Sequence, residues 1–275
     1  MKKSIIICLA LAALLCTGCA EADKADDTTA EISDTTSATE TKDITDDSGN
    51  VIGKSYFEGG YLAKEEFFAE DGTVSSANFY ENGVLKVSET YKYNADKVMT
   101  VCTAKEYDGE ELITETRYSV AEDGTRTEAN VTKYERNSDG SFKKTVYSGD
   151  AIIEESSYDA SGKPTCVTNF DKKGSTADFY EGNKLSKTET YNSDNELIGT
   201  ADYTYDENGN AVLTVTKDKD GNETLRSEAE YNENGRRTKV TTKNADGVIL
   251  SIAVYDENGS ATVYTEQEYY ANFGW

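Results

Sequence analysis

Five residues that recur at the ends of short strand-like runs decide what this chain can become. They read Tyr205-Asp206-Glu207-Asn208-Gly209, Tyr231-Asn232-Glu233-Asn234-Gly235 and Tyr255-Asp256-Glu257-Asn258-Gly259. An aromatic residue closes a strand, short polar residues follow, and a glycine free to take positive φ completes a tight reversal. The aromatic position recurs as Phe57, Tyr80, Tyr107, Tyr134, Tyr158, Tyr180, Tyr205, Tyr231 and Tyr255, at intervals of 22 to 27 residues. A second polar turn falls inside every interval, as at Asp71-Gly72, Asp123-Gly124 and Asp246-Gly247.

Each interval therefore holds two strands, and turns this short join only antiparallel neighbours. Between the turns apolar residues alternate with Thr and Asp, as in Ala201-Asp202-Tyr203-Thr204-Tyr205, at the period of a strand and not of a helix. The expected fold is all-β, an antiparallel meander of about eight hairpin repeats and roughly 17 strands. It forms one strongly twisted or rolled sheet with no sizeable helix beyond a signal peptide. A small propeller of four blades is the alternative. Residues 134–165 hold the most degenerate repeats and the only proline, Pro164, which predicts a bend or a protruding loop there. The aromatic end of the chain, residues 269–275, departs from the repeat and is expected to cap the last open edge.

Only 36% of residues are hydrophobic, too few for a thick two-layer core in 275 residues, so one apolar face per sheet is what composition allows. Acidic residues outnumber basic ones by 52 to 28, which disfavours nucleic acid as a partner.

The chain begins with Met1-Lys2-Lys3 and a twelve-residue apolar stretch over 4–15, an export signal too short to span a bilayer. Cys16-Thr17-Gly18-Cys19 follows and resembles a bacterial lipoprotein signal, with Cys16 where leucine is commonest. The resemblance implies cleavage after Gly18 and lipidation of Cys19, including a palmitate-type acyl chain. It also implies anchoring to the cell membrane from outside the cytoplasm. Residues 20–50 contain ten acids, seven threonines and no aromatic residue, and 19–50 is expected to be a disordered acidic tether. The division is thus 1–18 signal, 19–50 tether and 51–275 repeat domain.

The turn element Tyr203-Thr204-Tyr205-Asp206-Glu207-Asn208-Gly209 resembles the YD repeat of Rhs-type bacterial surface proteins. Phe79-Tyr80-Glu81-Asn82-Gly83 is similar to MORN-type hairpin repeats. Both imply a β-hairpin array; the toxin-caging role of Rhs proteins is not carried over.

There is no histidine, and G-x-S-x-G, G-x-G-x-x-G and the P-loop are absent, so no catalytic constellation, cofactor or metal site is expected. Cys102 and Cys166 lie in non-adjacent repeats and read as small buried hydrophobes. The expected function is a membrane-anchored lipoprotein presenting a repetitive β surface at the cell envelope to a protein or a glycan. Tyr203, Tyr205, Tyr231 and Tyr255 are the candidate binding residues. The alternatives are a passive envelope spacer or a carboxylate-based hydrolase.

Overall fold

A computed structural model describes residues 40–274. The predicted signal and Cys19 lie outside the described residues, as does Trp275. The strands are β1 (Glu40–Thr45), β2 (Val51–Glu58), β3 (Tyr61–Phe68), β4 (Val74–Glu81), β5 (Val84–Tyr93), β6 (Met99–Asp108) and β7 (Glu111–Val120). They continue with β8 (Arg126–Arg136), β9 (Phe142–Ser148), β10 (Ala151–Tyr158), β11 (Pro164–Asp171), β12 (Gly174–Glu181) and β13 (Lys184–Asn192). The last are β14 (Leu197–Tyr205), β15 (Ala211–Asp218), β16 (Glu223–Tyr231), β17 (Arg237–Asn244), β18 (Ile249–Tyr255) and β19 (Ala261–Tyr264), followed by helix α1 (Glu266–Phe273).

Every strand pairs antiparallel with the next in sequence, so the meander is one open, twisted, 19-stranded sheet with β1 and β19 at its edges. This is the expected all-β class, in its open and not its rolled form, and the continuous ladder excludes separate propeller blades. Two expectations need correction and a third gains detail. The sheet starts at Glu40, inside the stretch read as tether, because 46–50 form the repeat's own turn without an aromatic residue ahead of it. Residues 134–165 carry no protruding loop: β8 to β11 pair in sequence, and Pro164 opens β11, where a missing N–H costs little. The aromatic tail is helical, begun by a capping box in which Thr265 and Glu268 satisfy each other's backbone N–H. Tyr269 and Phe273 pack on Tyr264, and Lys239 of β17 lies over Tyr269, so α1 reaches back across the last strands.

The turns explain the bends of the chain. In twelve of them the N–H of the first residue donates to the carbonyl four residues on, and the N–H of the fourth donates back to the first. At 206–210, Asp206 Oδ1 also accepts the N–H groups of Asn208 and Asn210. Those bonds hold its carboxyl below the usual range, led by the contacts from Asn210. The fourth residue, Gly209, has φ of 86°, where a Cβ would be strained. Gly209→Ala should therefore destabilise the β14–β15 hairpin by about 1 kcal/mol, read as faster amide exchange confined to those two strands.

Packing is shallow. The only fully buried apolar residues among those described are Ala77, Cys102, Ala104, Ala177 and Ile252. Both faces meet solvent, and the ladder is supported by pairs of side chains across strands, each worth about 0.2–1 kcal/mol. Ala77 of β4 faces Glu89 of β5, and Ala177 of β12 faces Glu189 of β13; in both, the glutamate takes a hydrogen bond from a tyrosine two residues on, Tyr91 or Tyr191. Cys102 on β6 and Cys166 on β11 are both free thiols.

Candidate functional site

Directly opposed residues share a face, and here they trace a line across the sheet. Tyr56, Lys64, Phe79, Val87, Glu106, Thr114 and Lys133 are opposed in succession. Thr145, Glu155, Thr168, Ala177, Glu189 and Thr200 continue it. This face carries a ladder of ion pairs, among them Lys64–Glu66, Lys143–Glu155, Lys187–Glu189 and Lys243–Glu228.

The next residue along each strand points to the other face. Phe57 follows Tyr56, Tyr80 follows Phe79, Tyr107 follows Glu106, and Tyr134 follows Lys133. Tyr158, Tyr180, Tyr205, Tyr231 and Tyr255 fall the same way, so the nine aromatics that precede the turns stand on one face, at one end of every second strand. All nine are half-buried. The row stays in phase because, in hairpins such as β14–β15 and β16–β17, the bulge falls just after the turn on the second strand and leaves the aromatic strand regular.

Several rings are fixed from beneath. Tyr205 Oη donates to the Leu185 carbonyl at 2.8 Å and Tyr231 Oη to the Ala211 carbonyl at 2.9 Å, in each case at the start of the preceding strand. Tyr80 Oη donates to Glu65, and burial together with that carboxylate pushes its pKa up to about 12. Phe142 stacks on Tyr158 at 4.6 Å and leans on Tyr134 at 6.5 Å.

Of the four tyrosines singled out from sequence, the structure brings two together. Tyr231 and Tyr255 flank Arg237, whose guanidinium lies 5.7 Å and 5.8 Å from their ring centres. With Arg236 and the turns at 235–237 and 256–259 they line a shallow cleft of about 430 Å³. Arg236 Nη1 donates to the Glu257 carbonyl at 2.7 Å, which holds the two turns side by side. Tyr205 lies further along the row under Lys184, and Tyr203 sits deeper on β14, its hydroxyl 3.4 Å from Thr188 Oγ1.

The cations of the row were not singled out from sequence. Arg136 stands over Phe142, Lys184 over Tyr205 and Arg237 between Tyr231 and Tyr255. Among the described residues none of these, nor Arg236, is paired with a carboxylate. The signal was the basic residue placed just after a turn glycine or before a turn, as in Gly235-Arg236-Arg237. A second depression of about 370 Å³ on the opposite face is lined by Lys187, Glu189 and Asp202, whose charges are already satisfied by one another or by Lys217.

The shifted carboxylates point toward ion pairing. Burial raises Glu66 and Glu89, but hydrogen bonds from Lys64 and Tyr56 to the first and from Arg126 and Tyr91 to the second together outweigh it and leave both below the usual range. Lys187 and Tyr191 likewise lower Glu189. A general acid in glycoside hydrolysis needs the opposite shift.

No protein-family profile matches the chain, and no curated protein matches it. Solved structures that align with part of the chain include a mutant of S. aureus TarM in complex with Fondaparinux, alpha-GlcNAc-glycerol and UDP, at 15% identity and TM-score 0.24, covering 43% of this chain and 20% of that one. TcdB2-TccC3-TEV aligns at 10% identity and TM-score 0.27, over 82% of this chain and 16% of that one. A protein with unknown function from Bacteroides fragilis aligns at 8% identity and TM-score 0.20, over 60% of this chain and 88% of that one. The chain thus spans a fifth or less of the length of TarM and of TcdB2-TccC3-TEV. At these scores the likeness carries no argument about function.

Proposed function

We propose that this chain is a non-enzymatic lipoprotein of the cell envelope, held to the membrane through acylated Cys19, that uses one face of its sheet to bind a protein or a glycan. The observation that carries the binding role is the gathering of nine turn-end aromatics on a single face and a single end. The anchoring role rests on the sequence of the first 19 residues, since two or three buried acyl chains hold a protein stably at a bilayer.

Two measurements test the two halves. Cells expressing the full chain and fed radiolabelled palmitate should label it, and Cys19→Ala should remove the label and release the protein from the membrane fraction. Processing that globomycin leaves unchanged would overturn the anchor. For the binding face, a photo-reactive residue at position 257, beside the Tyr231–Tyr255 cleft, should give a cross-linked adduct in intact cells that Tyr255→Ala removes. A residue that cross-links to nothing there would overturn the docking role.

A further inference from the structure

Resting on that docking role, we infer that the aromatic face binds an extended acidic glycan, laid across the strands, whose disaccharide repeat carries one carboxylate. Three features of the row select this occupant over a protein surface. The first is its spacing. Stations two strands apart are separated by about 9.6 Å, twice the distance between paired strands, which is the length of two equatorially linked pyranose units in an extended chain. A polymer of that repeat meets an aromatic station once per disaccharide with no change of register along the sheet.

The second is the shape of the platform. The rings are half-buried, and Tyr205 and Tyr231, tied by their hydroxyls to the backbone beneath them, each carry a cation over one face, so the row offers fixed, partly covered rings and not mobile side chains. Sugar rings stack on such surfaces through their apolar C–H faces, at little cost in side-chain ordering.

The third is charge. Acids outnumber bases 52 to 28 in this chain, yet Arg136, Lys184, Arg236 and Arg237 stand along the row without a carboxylate partner among the described residues. Of the turn carboxylates by the row, Asp206 and Asp256 are engaged with the backbone N–H groups of their own turns, and Glu257, which also lines the cleft, accepts from Arg236 through its backbone carbonyl. The cations are therefore free to meet the carboxylates of a ligand, and Arg237, between two rings, offers its donors at the point where a stacked sugar would present its acid group. Cations held over aromatic rings in an acidic chain fit an anionic glycan and do not fit a neutral one.

The test uses the full-length chain in detergent micelles, with hyaluronan oligosaccharides as the acidic probe and chito-oligosaccharides of equal length as the neutral one. Calorimetric titration should show binding of the acidic series, tightening as the oligosaccharide grows from two to about five disaccharides. Binding should weaken as salt rises from about 50 to about 500 mM. Arg237→Gln with Arg136→Gln should cost about tenfold in affinity. Tyr231→Ala should cost a similar factor, with circular dichroism confirming the strand content of each variant. Equal binding of the neutral series, or affinity that ignores length, would overturn the acidic-glycan assignment. So would binding of neither series, and the cross-link from position 257 then separates the cases: a protein adduct that Tyr255→Ala removes leaves the docking role standing, and its absence overturns both.

Discussion

Gly174→Ala is expected to be among the most damaging single substitutions in this chain, lowering the stability of the β12–β13 region by about 3 kcal/mol. Gly174 opens β12 with φ of 148°, a conformation that L side chains rarely adopt. A Cβ there would stand 2.0 Å from the Tyr191 carbonyl and 2.7 Å from the Asn192 carbonyl carbon, both on the paired strand β13. Neither contact can be relieved by rotating a side chain, because the obstacle is backbone, so β12 must move away from β13 where Gly174 faces Asn192. In a layered protein such a movement would be resisted by a core. Here each strand is held chiefly by its two neighbours, so the cost is local and the ladder opens between β12 and β13. Hydrogen exchange should show loss of protection concentrated in β11 to β14, with β5 to β8 unchanged. Uniform loss across the sheet would mean that the array unfolds as one unit, and unchanged exchange would mean that the close approach is not there.

What was legible in the sequence was whatever the turns dictate. The D/N-x-x-G reversals give the strand count to within two, the antiparallel pairing and the phase of the aromatic row, because each is set by residues within five positions of one another. β1 was not legible because its turn, Asp46-Asp47-Ser48-Gly49-Asn50, follows Thr45 and lacks the aromatic residue that marks the other repeats. α1 escaped although its signal was present: Thr265-Glu266-Gln267-Glu268 is a capping box, hidden by the aromatic residues after it. For the cations along the row a sequence signal was present, but their placement over the rings was not legible. Arg237 lies six residues from Tyr231 in sequence, but its place between Tyr231 and Tyr255 depends on the pairing of β16 with β17 and of β17 with β18. The same holds more strongly for Glu89 and Arg126, 37 residues apart and separated in the sheet by β6 and β7.

Arg126→Met should destabilise the sheet by about 2 kcal/mol at neutral pH and weaken its loss of stability as pH falls from about 6 to about 4. Glu89 is only 8% exposed, and the Arg126 guanidinium meets both its carboxylate oxygens, at 2.6 and 3.0 Å, while Tyr91 Oη donates to it at 2.7 Å. Arg126 is itself partly exposed, which brings the expected cost below that of a fully buried pair. In the parent chain burial raises the Glu89 carboxyl, but Arg126 and Tyr91 overcome this and hold it below its ordinary value. A carboxyl whose folded pKa is depressed contributes stability that is present above its unfolded pKa and lost as pH falls through the folded one. Without the guanidinium, burial is opposed only by the hydrogen bonds from Tyr91 and Cys102, and the folded pKa rises. The variant should then lose less stability than the parent as acid protonates Glu89. Urea titrations of both chains at a series of pH values measure the two slopes directly. The double variant with Glu89→Gln should recover most of the loss and keep only the slope set by the other depressed carboxylates, such as Glu66 and Glu189. If the single variant kept the parent's slope, Glu89 would be solvated in the folded protein and the cross-strand network from β5 to β8 would not be closed.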